Sequence, residues 1–320
     1  MSVLSRLRES PTPPVAVEIA ANRVSACSLE WRGGQPVVSA HAIELLQPGA
    51  LVPSLISLNV HDRASVSAAL NRVLDRLGRP RRVGLIVPDL VAKVSLVRFE
   101  QVPARAQDLD QLVRWQVRKA APFPIDEAQV SHVAGLEGKE FIVSLAKRDV
   151  VQEYEGLCAE AGAHAGIVDL STFNVINAVL ASSLPPPPAA DWLLVNVAPD
   201  YASIAILRGP HLIFFRNRSS ETDGTLADLV HQTAMYYEDR LNGGGFSRVI
   251  LAGAAGAGAA PAVDVNQLRR SLEERLAASV ETVDPRQAVA LTDRISAAPS
   301  FLDALTPLVG LLLRDREKAA

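Results

Sequence analysis

Leu184-Pro185-Pro186-Pro187-Pro188-Ala189-Ala190-Asp191-Trp192-Leu193-Leu194-Val195-Asn196-Val197-Ala198-Pro199-Asp200-Tyr201 is the stretch that divides this chain. Consecutive prolines fix φ and remove backbone donors, which excludes helix and central strand and leaves a stiff, extended connector over 185–191. The apolar run that follows opens a series. Trp192 to Val197, Ala202 to Leu207 and His211 to Arg216 read as three strands parted by turns holding Pro199-Asp200 and Gly209-Pro210. Leu226, Leu229, Val230, Thr233, Ala234, Tyr237 and Leu241 then recur at spacings of three and four, the period of one helix face. Thr222 or Asp223 stands where its cap belongs. Arg248 to Ala252 reads as a buried strand and Val265 to Ala278 as a second helix.

The same order precedes the connector. Val15 to Ala20, Arg23 to Trp31 and Pro36 to Leu45 are strand-like, Val66, Leu70, Val73, Leu74 and Leu77 mark a helix, and Val83 to Val87 is a short apolar strand ending at Pro88. Strand, strand, strand, helix, strand therefore occurs twice, with no sequence identity between the copies. The first copy carries extra material: a strand (Val94 to Phe99), a helix (Ala106 to Lys119), two strands (Gln129 to Ala134, Glu140 to Leu145) and a helix through Val150, Tyr154, Leu157 and Cys158. Leu170 to Leu180 closes it. The expected organisation is a tail over 1–14, a first lobe over 15–92 plus 167–184, an inserted α+β module over 93–166, the connector, and a second lobe over 192–320.

Composition narrows the function classes. The chain has 320 residues, 48% hydrophobic and 21% charged, the profile of a folded chain with a sizeable core. A net charge of -3 gives no polycationic signal for nucleic acid. Cys27 and Cys158 lie far apart and read as reduced, buried thiols. No run reaches the ~20 apolar residues of a membrane-spanning helix; the longest candidate, Leu305 to Leu313, is interrupted by Pro307. Histidines fall at no metal-ligand spacing, no glycine-rich loop ends in Lys-Ser or Lys-Thr, and there is no Gly-x-Ser-x-Gly elbow.

Several segments, in order and spacing, carry a resemblance. They are Leu85-Ile86-Val87-Pro88, Val94-Ser95-Leu96-Val97-Arg98-Phe99 leading to Val102-Pro103, Leu112-Val113-Arg114-Trp115-Gln116, and Ala121-Pro122-Phe123-Pro124-Ile125-Asp126-Glu127. Ala161-Gly162, Val168-Asp169, Val249-Ile250-Leu251-Ala252-Gly253 and Gly310-Leu311-Leu312-Leu313-Arg314 continue them. Over nearly its whole length the chain resembles the type IV pilus assembly protein PilM family of the actin-like ATPase superfamily, related to the cell-division protein FtsA. The resemblance implies a duplicated actin-like (RNase H-like) α/β core in two lobes. It also implies a cytoplasmic scaffold, peripheral to the inner membrane, that docks the N-terminal cytoplasmic peptide of a PilN-like membrane protein, with self-association open and no direct membrane insertion.

It implies a nucleotide cleft as well, for ATP or ADP with Mg, held weakly if at all. In the superfamily, hairpin turns opening each lobe hold phosphates on backbone N–H groups, and a carboxylate ends each first strand. Here the first turn has Glu18 and Asn22 without glycine, and the second has Asn196 and Asp200 with Pro199 removing a donor. An amide at Asn196 cannot take a proton, which argues against base-assisted hydrolysis. Gly253 and Gly256, in Ala252-Gly253-Ala254-Ala255-Gly256-Ala257-Gly258, either pass an adenine or form a flexible loop. Asp223-Gly224, before a helix, is either a phosphate site or an ordinary helix start. The partner-facing candidates are Trp115, Arg118, Phe123 and Pro124 of the inserted module; Trp115 lies off the apolar face of its helix, and Phe123 is either an anchor or core. An ATP-dependent enzyme of the same superfamily, such as a sugar kinase, is the alternative of a different class. A GspL-like type II secretion component is the nearer one, and that protein would continue into a membrane helix.

Overall fold

The computed structural model describes residues 13–220, 224–256, 264–292 and 298–314. The expected tail, all but its last two residues, and Thr222 and Asp223 lie outside the described residues. The first half runs β1 (Val15–Ala20), β2 (Arg23–Arg32), β3 (Gln35–Leu45), α1 (Arg63–Arg76), β4 (Arg82–Val87), β5 (Ala92–Arg98), α2 (Ala106–Val117), β6 (Ala128–Ala134), β7 (Glu140–Lys147), α3 (Arg148–Glu160), β8 (His164–Leu170) and α4 (Ser171–Leu180). The second runs β9 (Asp191–Val197), β10 (Tyr201–Arg208), β11 (His211–Ser219), α5 (Leu226–Leu241), β12 (Arg248–Ala252), α6 (Val265–Leu276), β13 (Val280–Thr282), β14 (Ala290–Leu291) and α7 (Pro299–Leu313).

The duplication appears in the strand order. The first sheet reads β14-β3-β2-β1-β4-β8 and the second β11-β10-β9-β12-β13. In each, an antiparallel meander is extended on its first strand by two parallel strands. Parallel additions need crossover helices, and α1, α3, α5 and α6 supply them. Local chemistry starts two of them: the Asp62 side chain accepts from the Ser65 N–H at the head of α1, and Thr225, rather than the expected Thr222 or Asp223, accepts from the Asp228 N–H at the head of α5.

Side chains alternate across each sheet, so each sheet has two faces to cover. Val17, Ala26 and Leu85 of the first sheet pack with α1 and α3, while Ala16, Cys27 and Ile86 point the other way. That second face is covered by Leu305, Leu308, Val309 and Leu311 of α7, a helix from the far end of the chain. The second sheet reciprocates: Leu193 and Val195 face α5 and α6, while Trp192 and Leu194 are covered by Val175, Ile176 and Val179 of α4. The closing helices are thus exchanged between halves, and they cross each other. At the crossing a Cβ on Gly310 would overlap the Asn174 carbonyl oxygen, and one on Gly84 would overlap Leu311.

The exchange redraws two boundaries read from the sequence. Strand β14 and helix α7, counted with the second lobe, join the first sheet, the strand by pairing parallel to β3 and the helix by covering its second face. The latter helix continues through Pro307, so the proline that interrupts the apolar run does not end the helix. Helix α3, counted with the inserted module, buries Val150, Tyr154, Leu157 and Cys158 in the first-lobe core. Burial pushes both the Cys27 and Cys158 thiols up, the latter to about 12, which keeps them protonated and inert.

The module itself is a three-stranded antiparallel sheet, β5-β7-β6, with α2 on one face. Phe141, Val143 and Leu145 point to Val113 and Val117 of α2; Ile142, Ser144 and Ala146, with opposite parity, point toward the lobes.

Gly310→Ala is expected to lower the unfolding free energy by about 1–3 kcal/mol, the usual cost of overpacking a tight contact, read from the urea midpoint at unchanged slope. Gly138, with nothing within 4 Å of a Cβ, is the control; its alanine variant should shift stability by less than about 0.5 kcal/mol.

Candidate functional site

The turns that open the two halves face each other across a cleft. Glu18, Ala21, Arg23, Asn196, Asp200, Gly253 and Asp303 are among its lining residues, and Asn22 and Gly256 meet at its rim. Of the sequence-predicted nucleotide residues, the fold brings together Glu18, Asn22, Asn196, Asp200, Gly253 and Gly256. Gly224 lies elsewhere, its carbonyl accepting from Arg218 in the turn before α5, and Asp223 lies outside the described residues. Gly253 is required by packing: its φ is +76° and a Cβ would overlap the Val197 carbonyl oxygen.

The cleft is filled by the chain itself. Arg23 donates to Glu18 Oε2 at 2.8 Å, and Glu18 also accepts from Ser25 and Ser171. Asn22 Nδ2 and Arg23 Nη1 both donate to the Gly256 carbonyl, tying the first lobe to the second. The N–H groups of Ala255 and Gly256 donate to the Asp303 carboxylate at 2.7 and 3.2 Å. Beneath lies Asp89, fully buried at the end of β4. It accepts from the Thr172 N–H at 3.0 Å and the Ser203 hydroxyl at 2.6 Å, as well as from the Thr172 hydroxyl. Its N–H donates to the Tyr201 hydroxyl, and Asn196 Nδ2 donates to Thr172 Oγ1. Asn196 is thus spent holding a hydroxyl that itself holds a carboxylate.

Sequence reading missed Arg23, Asp89, Thr172, Ser203 and Asp303. Asp303 had a signal, being the single charged residue of Pro299–Leu313, and so had Asp89, which follows an apolar strand and proline. Thr172 and Ser203 had none.

The resemblance implies a nucleotide in this cleft, but these residues in this arrangement do not fit one. About 30 Å³ of free space remains, enough for about one water, where a ligand pocket has on the order of 300–1,000 Å³. Arg23 is the one cation among the described lining residues, facing carboxylates at Glu18, Asp200 and Asp303. Burial pushes the carboxyls of Asp89 and Asp303 up against the hydrogen bonds they accept, and pushes Asp200 to about 6.

A group with a raised folded pKa binds more protons in the native state, so its contribution is fully present below the unfolded pKa and is lost as pH rises through the folded one. For Asp200 that window runs from about pH 4 to about pH 6. Asp200→Asn removes the penalty, so its stability relative to the parent should be greater at pH 7 than at pH 4, checked by paired denaturation curves.

A second concavity, of about 220 Å³, lies between the module and the first lobe. Gln129 and Ser131 of β6, Ser144 and Ala146 of β7, and Gly166 to Asp169 of β8 line it. Strand β8 is the last in its sheet, so one edge is left open. Leu96, Ile142 and Val133 form a cross-strand row on the same module face, with Leu96 38% and Val133 59% exposed. The partner-facing candidates sit on the other side of that sheet. Trp115 is 68% exposed on the outer face of α2, and Arg118 and Pro124 are exposed. Phe123 is half-buried against the core of Val113, Val117 and Phe141.

A family model described as type IV pilus assembly protein PilM matches residues 16–240. Among solved structures, a PilM-PilN type IV pilus biogenesis complex superposes with a TM-score of 0.78 at 16% identity, covering 95% of this chain and 99% of that one. The cytoplasmic domain of EpsL, an inner membrane component of the type II secretion system of Vibrio cholerae, gives 0.50 at 10% identity, covering 96% and 94%. A Bacteroides thetaiotaomicron protein with an actin-like ATPase fold also gives 0.50 at 10% identity, covering 88% and 94%. The duplicated strand order, the exchanged helices and the inserted module are therefore an actin-like fold, and the chain belongs to the type IV pilus assembly protein PilM family.

Proposed function

We infer that this chain is a cytoplasmic scaffold of a type IV pilus assembly platform, and that it grips the N-terminal peptide of a PilN-like inner-membrane protein in the groove between β8 and the module sheet. Family membership supports the machine, and the solved PilM-PilN complex supports the kind of partner. The observation that carries the site is the open edge of β8 beside an exposed apolar row on the facing sheet. An extended peptide is held by main-chain hydrogen bonds to an open edge and by alternate side chains in apolar pockets. That arrangement demands no chemistry, and the groove holds no obvious catalytic pair.

Among the described residues no helix is long and apolar enough to cross a membrane, and the grip on the PilN-like protein would tie the chain to the inner membrane. ATP or ADP with Mg enters only if the lobes part, because Arg23 and Asp303 fill the closed cleft. Nucleotide is then held weakly if at all.

The test is titration of a labelled peptide from the cytoplasmic N-terminus of the PilN-like protein. Ser144→Trp, which fills the groove, and Val133→Asp, which charges its apolar row, should each weaken binding about tenfold or more, with melting temperatures near the parent's. Wild-type affinity in both would place the interface elsewhere. Phe123→Ala should do the opposite, losing about 1–3 kcal/mol of stability through the module core while the folded protein binds normally. Weakened binding at unchanged stability would move the interface to the α2 side.

A further inference from the structure

The outer face of α2 is unlike the rest of the module surface. Successive residues advance by about 100° around a helix, so Val113 and Val117, buried against the sheet, put Gln111, Trp115 and Arg118 on the opposite side. Arg114 and Lys119 flank them, and all five are exposed. Arg114, Arg118 and Lys119 make no ion pair among the described residues, and the acids on this helix lie toward its start, where Asp110 is engaged by His132.

Two bland readings account for parts of this. Cations near a helix C-terminus are favoured by the macrodipole, but that needs no exposed indole. A single exposed apolar residue is ordinary, but this one stands among three cations that make no ion pair among the described residues. An exposed indole with cations on either side matches the boundary of an anionic bilayer. There the ring settles at headgroup depth and the cations meet phosphates.

We propose that the outer face of α2, with Trp115 at its centre and Arg114, Arg118 and Lys119 around it, docks on the surface of an anionic phospholipid membrane. The contact is superficial and reversible, and it is independent of the peptide groove, which opens on the other side of the module sheet. It would hold the module against the membrane whose protein the groove grips, raising the local concentration of that partner.

The experiment uses the full chain carrying Trp31→Phe, which leaves Trp115 and the buried Trp192 as the indoles. Flotation with vesicles of phosphatidylglycerol and phosphatidylcholine, against phosphatidylcholine alone, reads binding; tryptophan emission reads the depth of Trp115. Expected are recovery with the anionic vesicles alone, a blue shift on binding, and loss of both as salt is raised. The triple variant R114E/R118E/K119E should lower the partition coefficient by on the order of 100-fold or more, at about a factor of five per cation removed. Its melting temperature and its affinity for the PilN-like peptide should be unchanged, which keeps this outcome separate from that of the groove. No recovery with anionic vesicles, equal recovery of the triple variant, or binding without an emission shift would each overturn the proposal. So would capture of an acidic peptide by this face without any binding to vesicles.

Discussion

At Gly310 the last helix of the chain crosses the last helix of the first half, backbone against backbone, with no room for a methyl group beside Asn174. The rest of the structure depends on that contact. Each sheet leaves one apolar face uncovered by its own crossover helices, and the two closing helices reach past each other to cover the faces of the opposite halves. An uncovered Leu or Val costs roughly 1.5–3 kcal/mol of lost burial, and several are at stake on each side. The halves are therefore not two domains joined by a linker. Each completes the other's core, and the crossing sets how far apart their opening turns can stand.

Those turns meet over a buried polar cluster whose members bond to one another. Asp89 is surrounded by hydroxyls and an N–H rather than cations, and Glu18 is matched by Arg23 from the same hairpin. Buried carboxylates are tolerated when every oxygen is hydrogen-bonded, and these are. The bonds that cross the cleft run from Asn22 and Arg23 of the first turn to the Gly256 carbonyl of the second half. The cleft between the halves is an internal clasp, while the open edge of β8 and the exposed Leu96 and Val133 lie apart from it on the module side.

Much of the fold was legible in the sequence because periodicity is local. The strands β1, β2, β3, β9 and β12 announce themselves as short apolar runs between turn residues, and α1 and α5 as stripes of three and four with a capping side chain. The edge strand β8 did not, because one side faces the groove and its residues are half-buried without clean alternation. Helix α7 looked broken at Pro307, yet its burial between the sheet and α4 holds it helical through the proline. Phe123 and Trp115, both partner-facing candidates from the sequence, part company in space: one packs on the module core and the other points to water.

By itself the sequence determined that the chain is a two-fold repeat with an insertion, that its opening turns lack phosphate-binding glycines, and that Asn196 cannot act as a base. Those are statements about residue type and spacing, and no partner in space is needed to make them. Only the tertiary structure decided which half each closing helix covers, that Arg23 and Asp303 occupy the cleft, that Asp89 is buried beneath it, and which side of the module sheet carries the groove. Each of those depends on residues tens to hundreds of positions apart arriving at one place, with side-chain parity set by strand register. A shift of one residue would have turned Ser144 toward α2 and Leu145 toward the groove.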